Sequence, residues 1–390
     1  MKSKNKEESD FNFFSIHMDF VKTEIISLYD IYINSSIIPG RERFVRIYPK
    51  GEYLKKSTLR ELQSKYFQLY LSEDQRTDYL KSLVGNREVT DEEKSKVIKD
   101  SAIKYLSTLF NNKHEFKTEL LSETIRNCRD VVESIVDVIK DYSINDLYEL
   151  VGKLSFHDFY TYDHSINVAM YCIAIYRVLY KDAPKETIVS LGLGGLLHDL
   201  GKLKLSTSIL NNPGKLTKEE FDEIKKHPGF GLQMLLEVKE SWKSGKIERC
   251  EGVDIDLTAK IIHEHHENFD GTGYPRQTVG NEISIEARIT AIADFFDAIT
   301  TKRAYHEILS IEQAVDVMSR SVGKKIDPQV FKVFLSNLKK ISLSARTKFK
   351  IADDFDPSSP HEKLPLEEVQ EEKKVENFGK IIFKDDSNSD

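Results

Sequence analysis

Within Leu197-His198-Asp199-Leu200-Gly201-Lys202 an imidazole and a carboxylate stand side by side, and more of both follow. Downstream come His227, the doublet His265-His266, the loop Phe269-Asp270-Gly271-Thr272-Gly273-Tyr274-Pro275 and Asp294; upstream sits His164. Five of the eleven histidines fall in this set. A single histidine on a helix is usually an ordinary surface or core residue. Five of them with two aspartates, in mostly apolar helical contexts, point instead to metal coordination. The donors are nitrogen and oxygen only, which suits iron, manganese, zinc or nickel and disfavours a structural zinc finger. On a helix His198 and Asp199 diverge by about 100°, and Lys202 follows on the same side one turn later. An aspartate so placed can bridge two ions, while His265-His266 feed one ion from adjacent positions. Two ions are the expected tool for in-line attack on phosphorus, since they activate the nucleophile and hold the leaving oxygen.

These residues sit on helices. Residues 145–340 contain apolar runs of helical spacing over Asn167–Tyr180, Lys185–His198, Glu219–Leu236, Thr258–His266, Ile285–Thr301 and Ile311–Ser321, with no strand-rich stretch between them. Residues 237–256 are polar, contain Gly245 and Gly252, and read as a looser insertion. Before this all-α part, residues 11–95 have a mixed texture. Phe44 to Tyr48 and Phe67 to Leu71 read as strands, Pro49-Lys50-Gly51-Glu52 as a turn, and Ser57 to Tyr66 as a helix capped by Ser57. Residues 96–144 read as connecting helices. There Leu121, Ile125, Cys128, Val132, Ile135, Ile139 and Tyr142 recur at steps of four and three, a short heptad seam. It either packs on its own domain or also pairs two subunits as a homodimer through the 121–142 helix. Residues 1–10 and 345–390 are charged and are expected to be a disordered lead and tail. The expected fold is α+β overall, an all-α helical bundle behind a small N-terminal α/β domain.

At its motifs the chain resembles the HD-GYP family, the bacterial cyclic dinucleotide phosphodiesterases of the HD superfamily. His198-Asp199 corresponds to the HD pair and Gly273-Tyr274-Pro275 to the GYP loop. The likeness extends through Asn211-Asn212-Pro213-Gly214-Lys215, His265 to Pro275, and Asp294 to Tyr305. The resemblance implies that His164, His198, Asp199 and Asp294 hold one ion, and that Asp199 bridges to a second held also by His227, His265 and His266. It further implies that Lys202 contacts phosphate, and that Gly273, Tyr274 and Arg303 help to bind the ligand. It makes the GYP loop a candidate contact for a protein partner as well. The implied activity is hydrolysis of cyclic di-GMP to linear pGpG by a metal-bound hydroxide, in second-messenger signalling. A non-catalytic cyclic dinucleotide sensor and a hydrolase of cyclic GMP-AMP stand as alternatives, because nothing in the sequence reads the base.

Some positions depart from the family pattern. Tyr160 stands four residues before His164, where members with three ions carry glutamate, so two divalent ions are expected. Ala304 and His306 replace a proline and a basic residue after Arg303. His263 is expected outside the site, as residues two apart on a helix point apart, and His157 is expected at the surface or in a cap. Asp297, on the face of Asp294, is expected to hydrogen-bond a ligand rather than coordinate. Tyr274 reads equally as a plain turn aromatic or as a ligand contact.

Composition narrows the setting. The 390 residues carry a net charge of −7 with both signs interspersed, which excludes a general binder of nucleic acid polymers or anionic membranes. No apolar run reaches the roughly 18–20 residues of a membrane span, and the charged residues 1–10 are not expected to act as a secretory signal. Three separated cysteines, Cys128, Cys172 and Cys250, form no disulfide framework, and a cytoplasmic protein is expected.

Overall fold

The computed structural model describes residues 13–36, 38, 41–110, 117–154, 160–210, 212, 216–301, 309–338, 349–352, 355–357 and 366–368. The architecture is α+β: a small sheet domain followed by a large helical one. The first strands are β1 (Phe13–Ile16), β2 (Ile25–Ile26), β3 (Ile31–Asn34), β4 (Phe44–Tyr48) and β5 (Tyr53–Leu54), followed by α1 (Lys56–Lys65) and β6 (Leu69–Ser72). Four strands form an antiparallel sheet in the order β1-β6-β3-β4, with Phe13 opposite Ser72 and an irregularity between Ile31 and Tyr32. Ile16, Ile31, Leu69, Leu71 and Tyr79 make its small separate core. Two local expectations shift. Phe67 is fully exposed and the strand begins at Leu69; α1 starts after Lys55, with no side-chain cap from Ser57.

Three helices then lead into the large core: α2 (Arg76–Val84), α3 (Asp91–Phe110) and α4 (Thr118–Val138). The heptad seam lies on α4, and Leu121, Ile125, Cys128, Val132, Ile135 and Ile139 are all buried. So are Ser122, Thr124, Val131 and Val136, which lie off the seam. A helix covered on more than one stripe is an interior element of its own bundle, not half of a two-stranded coil. The seam is therefore used inside the chain and does not offer a surface for pairing subunits. For the same reason α3 and α4 are structural parts of the helical domain and not a connector preceding it.

The remaining helices are α5 (Ile144–Leu154), α6 (Tyr160–Leu179), α7 (Lys185–Leu196), α8 (Thr207–Leu210), α9 (Lys218–Ile224), α10 (His227–Lys243), α11 (Ile255–Glu264), α12 (Ile285–Thr300), α13 (Ile311–Ser319) and α14 (Pro328–Ser336). Helix α7 is central because its glycines admit neighbours closely. A Cβ at Gly192 would lie 2.6 Å from Val132 on α4, and one at Gly194 would lie 2.7 Å from Ile261 on α11. The run expected over Glu219–Leu236 is two helices. Pro228 falls in the first turn of α10, the position where its missing N–H costs nothing, and so marks a helix start. Helix α10 then continues to Lys243, which shortens the looser insertion.

A few residues of the 345–390 stretch are described, and these are ordered. Strand β7 (Phe349–Ile351) pairs with β8 (Leu366–Glu368), and Ile351, Ala352, Phe355 and Asp356 are buried against the helical domain. Apolar Ile351 and Phe355, scattered among charges, supply enough burial to dock this stretch. No helix among the described residues is long and apolar enough to cross a membrane.

Candidate metal centre

The seven candidate ligands converge from five segments, and all are buried. His164 comes from the first part of α6 and Asp294 from the middle of α12; His227 is the first residue of α10. His198 and Asp199 were expected on a helix, but α7 ends at Leu196 and the pair occupies the following turn. Two N–H groups there take partners three residues back, Leu200 on Leu197 and Lys202 on Asp199. This tightening swings both side chains inward ahead of a 3₁₀ turn over Leu200–Lys204. His265 and His266 similarly follow the end of α11.

The side chains gather in two groups, Asp199 with His227, His265 and His266, and His164 with His198 and Asp294. Asp199 faces both. Its Oδ1 lies 3.4 Å from His227 Nε2 and its Oδ2 lies 3.3 Å from His198 Nε2. His164 Nε2 is 3.1 Å from Asp294 Oδ1, and His227 Nε2 is 3.4 Å from His265 Nε2. Donors bound about 2.1 Å from one ion are separated by roughly 3 Å or slightly more, so these spacings suit shared ions. Asp199 Oδ1, Asp294 Oδ1 and His266 Nε2 are sealed from solvent and make no hydrogen bond among the described residues. Buried polar atoms are otherwise almost always satisfied, and a cation directly accounts for three orphans converging here.

Backbone carbonyls set the histidine tautomers. Nδ1 of His198, His227 and His265 each lies 2.8 Å from the carbonyl three residues earlier, Gly195, Ile224 and Ile262 respectively. A carbonyl can only accept, so Nδ1 carries the proton and Nε2 keeps its lone pair for a metal. His164 uses a carboxylate instead, Asp297 Oδ2 at 2.7 Å. Asp297 is held in turn by Asn167 at 3.0 Å and Thr301 at 2.6 Å, the supporting role expected of it.

Electrostatics separates the groups. Burial alone would lower His164, but its contacts with Asp294 and Asp297 outweigh that and raise it to about 9. Burial lowers His227 to about 4 and His265 to about 3, and pushes His266 down as well. Burial would raise Asp199, yet Lys202 and the neighbouring histidines hold it well below the usual carboxylate range. The Lys202 ammonium donates to Asp199 Oδ2 at 2.7 Å.

The loop from Asn268 to Pro275 forms one wall. Asp270 accepts from Thr272 N–H, and Tyr274 N–H donates to the His266 carbonyl. A Cβ at Gly273 would lie 2.6 Å from Glu267 Cα, so the loop can pass so closely only as glycine. Glu267 accepts from Arg276 N–H at 2.7 Å and Thr278 N–H at 3.0 Å, pinning the far side of the loop. The Tyr274 ring stacks on His266 at 4.8 Å. A cleft of about 340 Å³ opens beside His265, His266, Tyr274, Asp294 and Phe355, within the size range of small-molecule sites.

His263 belongs to neither ligand group. Arg303, Ala304, His306, His157 and residues 213–215 lie outside the described residues. Sequence reasoning missed Glu267 and Asp356. Glu267 carried a signal, an acid beside the histidine doublet and before a glycine-rich loop; Asp356 carried none.

Residues 154–330 match the family model described as HD domain. The chain is 39% identical over 191 residues to a cyclic di-GMP phosphodiesterase of Pseudomonas aeruginosa, covering 49% of this chain and 42% of that protein. It is 36% identical over 173 residues to the 3'3'-cGAMP-specific phosphodiesterase 3 of Vibrio cholerae, covering 44% and 34%. Among solved structures, a HDG"Y"P protein from Bdellovibrio bacteriovorus, Bd1817, aligns with 18% identity and a TM-score of 0.48, covering 83% of this chain and 99% of that one. The chain spans under half the length of the two curated relatives. Residues 154–330 thus match an HD domain, and both buried His/Asp groups that could hold divalent metal lie within that stretch. The His198-Asp199 pair and the Gly273-Tyr274-Pro275 loop both lie within that match.

Proposed function

We propose that this chain is a phosphodiesterase that uses two divalent ions to open cyclic di-GMP to linear pGpG. The observation that carries the reading is Asp199, whose two oxygens face two adjacent buried ligand groups beside an open cleft. In this reading His164, His198, Asp199 and Asp294 hold one ion, and Asp199, His227, His265 and His266 the other. Tyr160, which offers no carboxylate, supports two ions rather than three. Iron or manganese fits the mixed nitrogen and oxygen donors best, with zinc or nickel next.

When bound, the two ions supply Lewis acidity, which makes a water nucleophilic near neutral pH and offsets charge building on the phosphate. The protein does the rest. Carbonyl-held histidines and Asp297 keep the donors oriented before substrate arrives. Lys202, paired with Asp199 Oδ2, and Arg303 are assigned phosphate contacts by their places in the family motif. The Gly273-Tyr274 wall bounds the dinucleotide. Water adds across one P–O bond, leaving a 5′-phosphate and a free 3′-hydroxyl that takes up the proton.

Cyclic GMP-AMP is the second reading, favoured by the Vibrio cholerae relative. A cytoplasmic setting fits both, since Cys128, Cys172 and Cys250 are all free thiols. The test is to load the full chain anaerobically with iron or manganese, supply each cyclic dinucleotide separately, and identify products by mass spectrometry. Linear pGpG formed faster than linear pGpA or pApG supports the first reading, and the reverse order the second. Binding of either ligand without hydrolysis by ion-loaded protein would replace both with a sensor.

A further inference from the structure

Four of the five metal-site histidines have a hydrogen-bonding acceptor for Nδ1: three backbone carbonyls and Asp297. His266 differs. Its Nε2 is the sealed atom beside the second ligand group, so Nδ1 points the other way, and Asp356 Oδ1 stands 3.8 Å from it. A closure of about 0.6–1 Å would make this an N–H···O bond. The other carboxylate oxygen, Oδ2, already accepts from the Tyr274 hydroxyl at 2.7 Å. Asp356 thus faces two neighbouring site residues, whose rings are themselves stacked.

The segment bearing Asp356 is built into the domain. Phe355 packs on Phe295 of α12 with ring centres 5.2 Å apart, and the Lys325 ammonium donates to the Phe355 carbonyl at 2.6 Å. Lys325 offers its own carbonyl to Phe269 N–H, so one residue ties the glycine-rich loop to the C-terminal segment. Asp356 is itself buried, and placing a carboxylate there is costly unless its contacts compensate.

We propose that Asp356 is a positioning residue of the metal centre, its carboxylate orienting His266 for the second ion and fixing the Tyr274 ring against it. The inference rests on the two-ion reading of the site. It makes the C-terminal segment part of the active unit, although that segment lies beyond the 154–330 match to the HD domain. A carboxylate behind a ligating histidine fixes the ring and raises its basicity, and its loss typically weakens the metal about 10–100-fold.

The test is manganese titration of the metal-free full chain by calorimetry, for wild type, Asp356→Asn and Asp356→Glu, with thermal midpoints recorded before loading. The expected result is two ions in wild type, with one of the two steps weakened about 10–100-fold in Asp356→Asn. Asp356→Glu recovers part of the loss, and the metal-free midpoints of the variants stay close to wild type. Equal affinity at both steps in Asp356→Asn would overturn the proposal while leaving the two-ion reading intact. Faster turnover with unchanged metal affinity would also overturn it, and would make the segment an inhibitory strap. A wild-type chain that takes up no manganese, iron or zinc would remove the two-ion reading and this inference with it.

Discussion

Gly201 lies where the turn after Asp199 meets the first turns of α10, and adding one methyl group there tests how closely these two elements must approach. A Cβ at Gly201 would overlap the carbonyl oxygen of His227 and lie 2.6 Å from Gly231 N and 2.8 Å from His227 C. All three are backbone atoms of the first turns of α10, so no rotamer change relieves the clash. Relieving the approach to Gly231 N alone requires α10 to move by roughly 0.8 Å, from 2.6 Å to a normal contact near 3.4 Å, and the closer overlap with the His227 carbonyl oxygen requires more. His227 moves with its helix, whereas Asp199 stays with the 3₁₀ turn. Metal–ligand distances tolerate only about 0.2 Å, so the second ion loses a donor. We expect Gly201→Ala to lose about 1–3 kcal/mol of stability to overpacking, to bind the second ion at least tenfold more weakly, and to turn over about 10²-fold more slowly. Gly229→Ala on the same helix is the control. A Cβ there meets nothing within 4 Å, and replacing glycine in a helix by alanine stabilises by about 0.5–1 kcal/mol. Elemental analysis after gel filtration, urea unfolding and product formation from cyclic di-GMP measure the three quantities. If Gly201→Ala kept two ions, wild-type stability and wild-type turnover, the close approach of α10 would not be what positions His227, and the reasoning would fail.

Lys99 and Asp163 form a buried pair at 3.2 Å next to His164, and Lys99 also donates to the Leu154 carbonyl at 2.7 Å. Lys99→Met leaves a buried carboxylate without this cation and is expected to cost about 3–5 kcal/mol in urea unfolding; a change below about 1 kcal/mol would contradict the pairing. A chain beginning at Ser143 lacks α3 and α4 and exposes the core face around Gly192 and Ile173. It is expected to lose cooperative unfolding, contrary to what a detachable connector would allow, and a sharp thermal transition would refute this. Removing bound metal with a chelator is expected to lower the thermal midpoint, since an ion held at 100 times its dissociation constant contributes about 2.7 kcal/mol per site. An unchanged midpoint after verified metal removal would exclude ions as part of the folded centre.

Much of the centre is legible in the order of residues alone. Seven ligand candidates can be picked out because metal chemistry demands particular side chains, and types are what a sequence records; Lys202 and the glycine-rich loop are picked out by the family resemblance. The helical character of 145–340 is legible as well, because apolar spacing of three and four reports a single buried face. What spacing does not report is how many faces are buried, or by what. The seam on α4 reads the same whether its partner is another subunit or its own bundle; only the packing of Val132 against Gly192 and the burial of Thr124 and Val131 decide it. Local geometry escapes in the same way. His198 and Asp199 look helical by pattern, yet the tightened turn after Leu196 is what lets one carboxylate face two groups. Asp356 is wholly invisible to pattern. It stands 90 residues from His266 in a charged stretch, and two apolar residues nearby, Ile351 and Phe355, dock that stretch against the helices. Long-range contacts of this kind arise from the sum of many weak burial terms over the whole surface, and no local pattern encodes that sum.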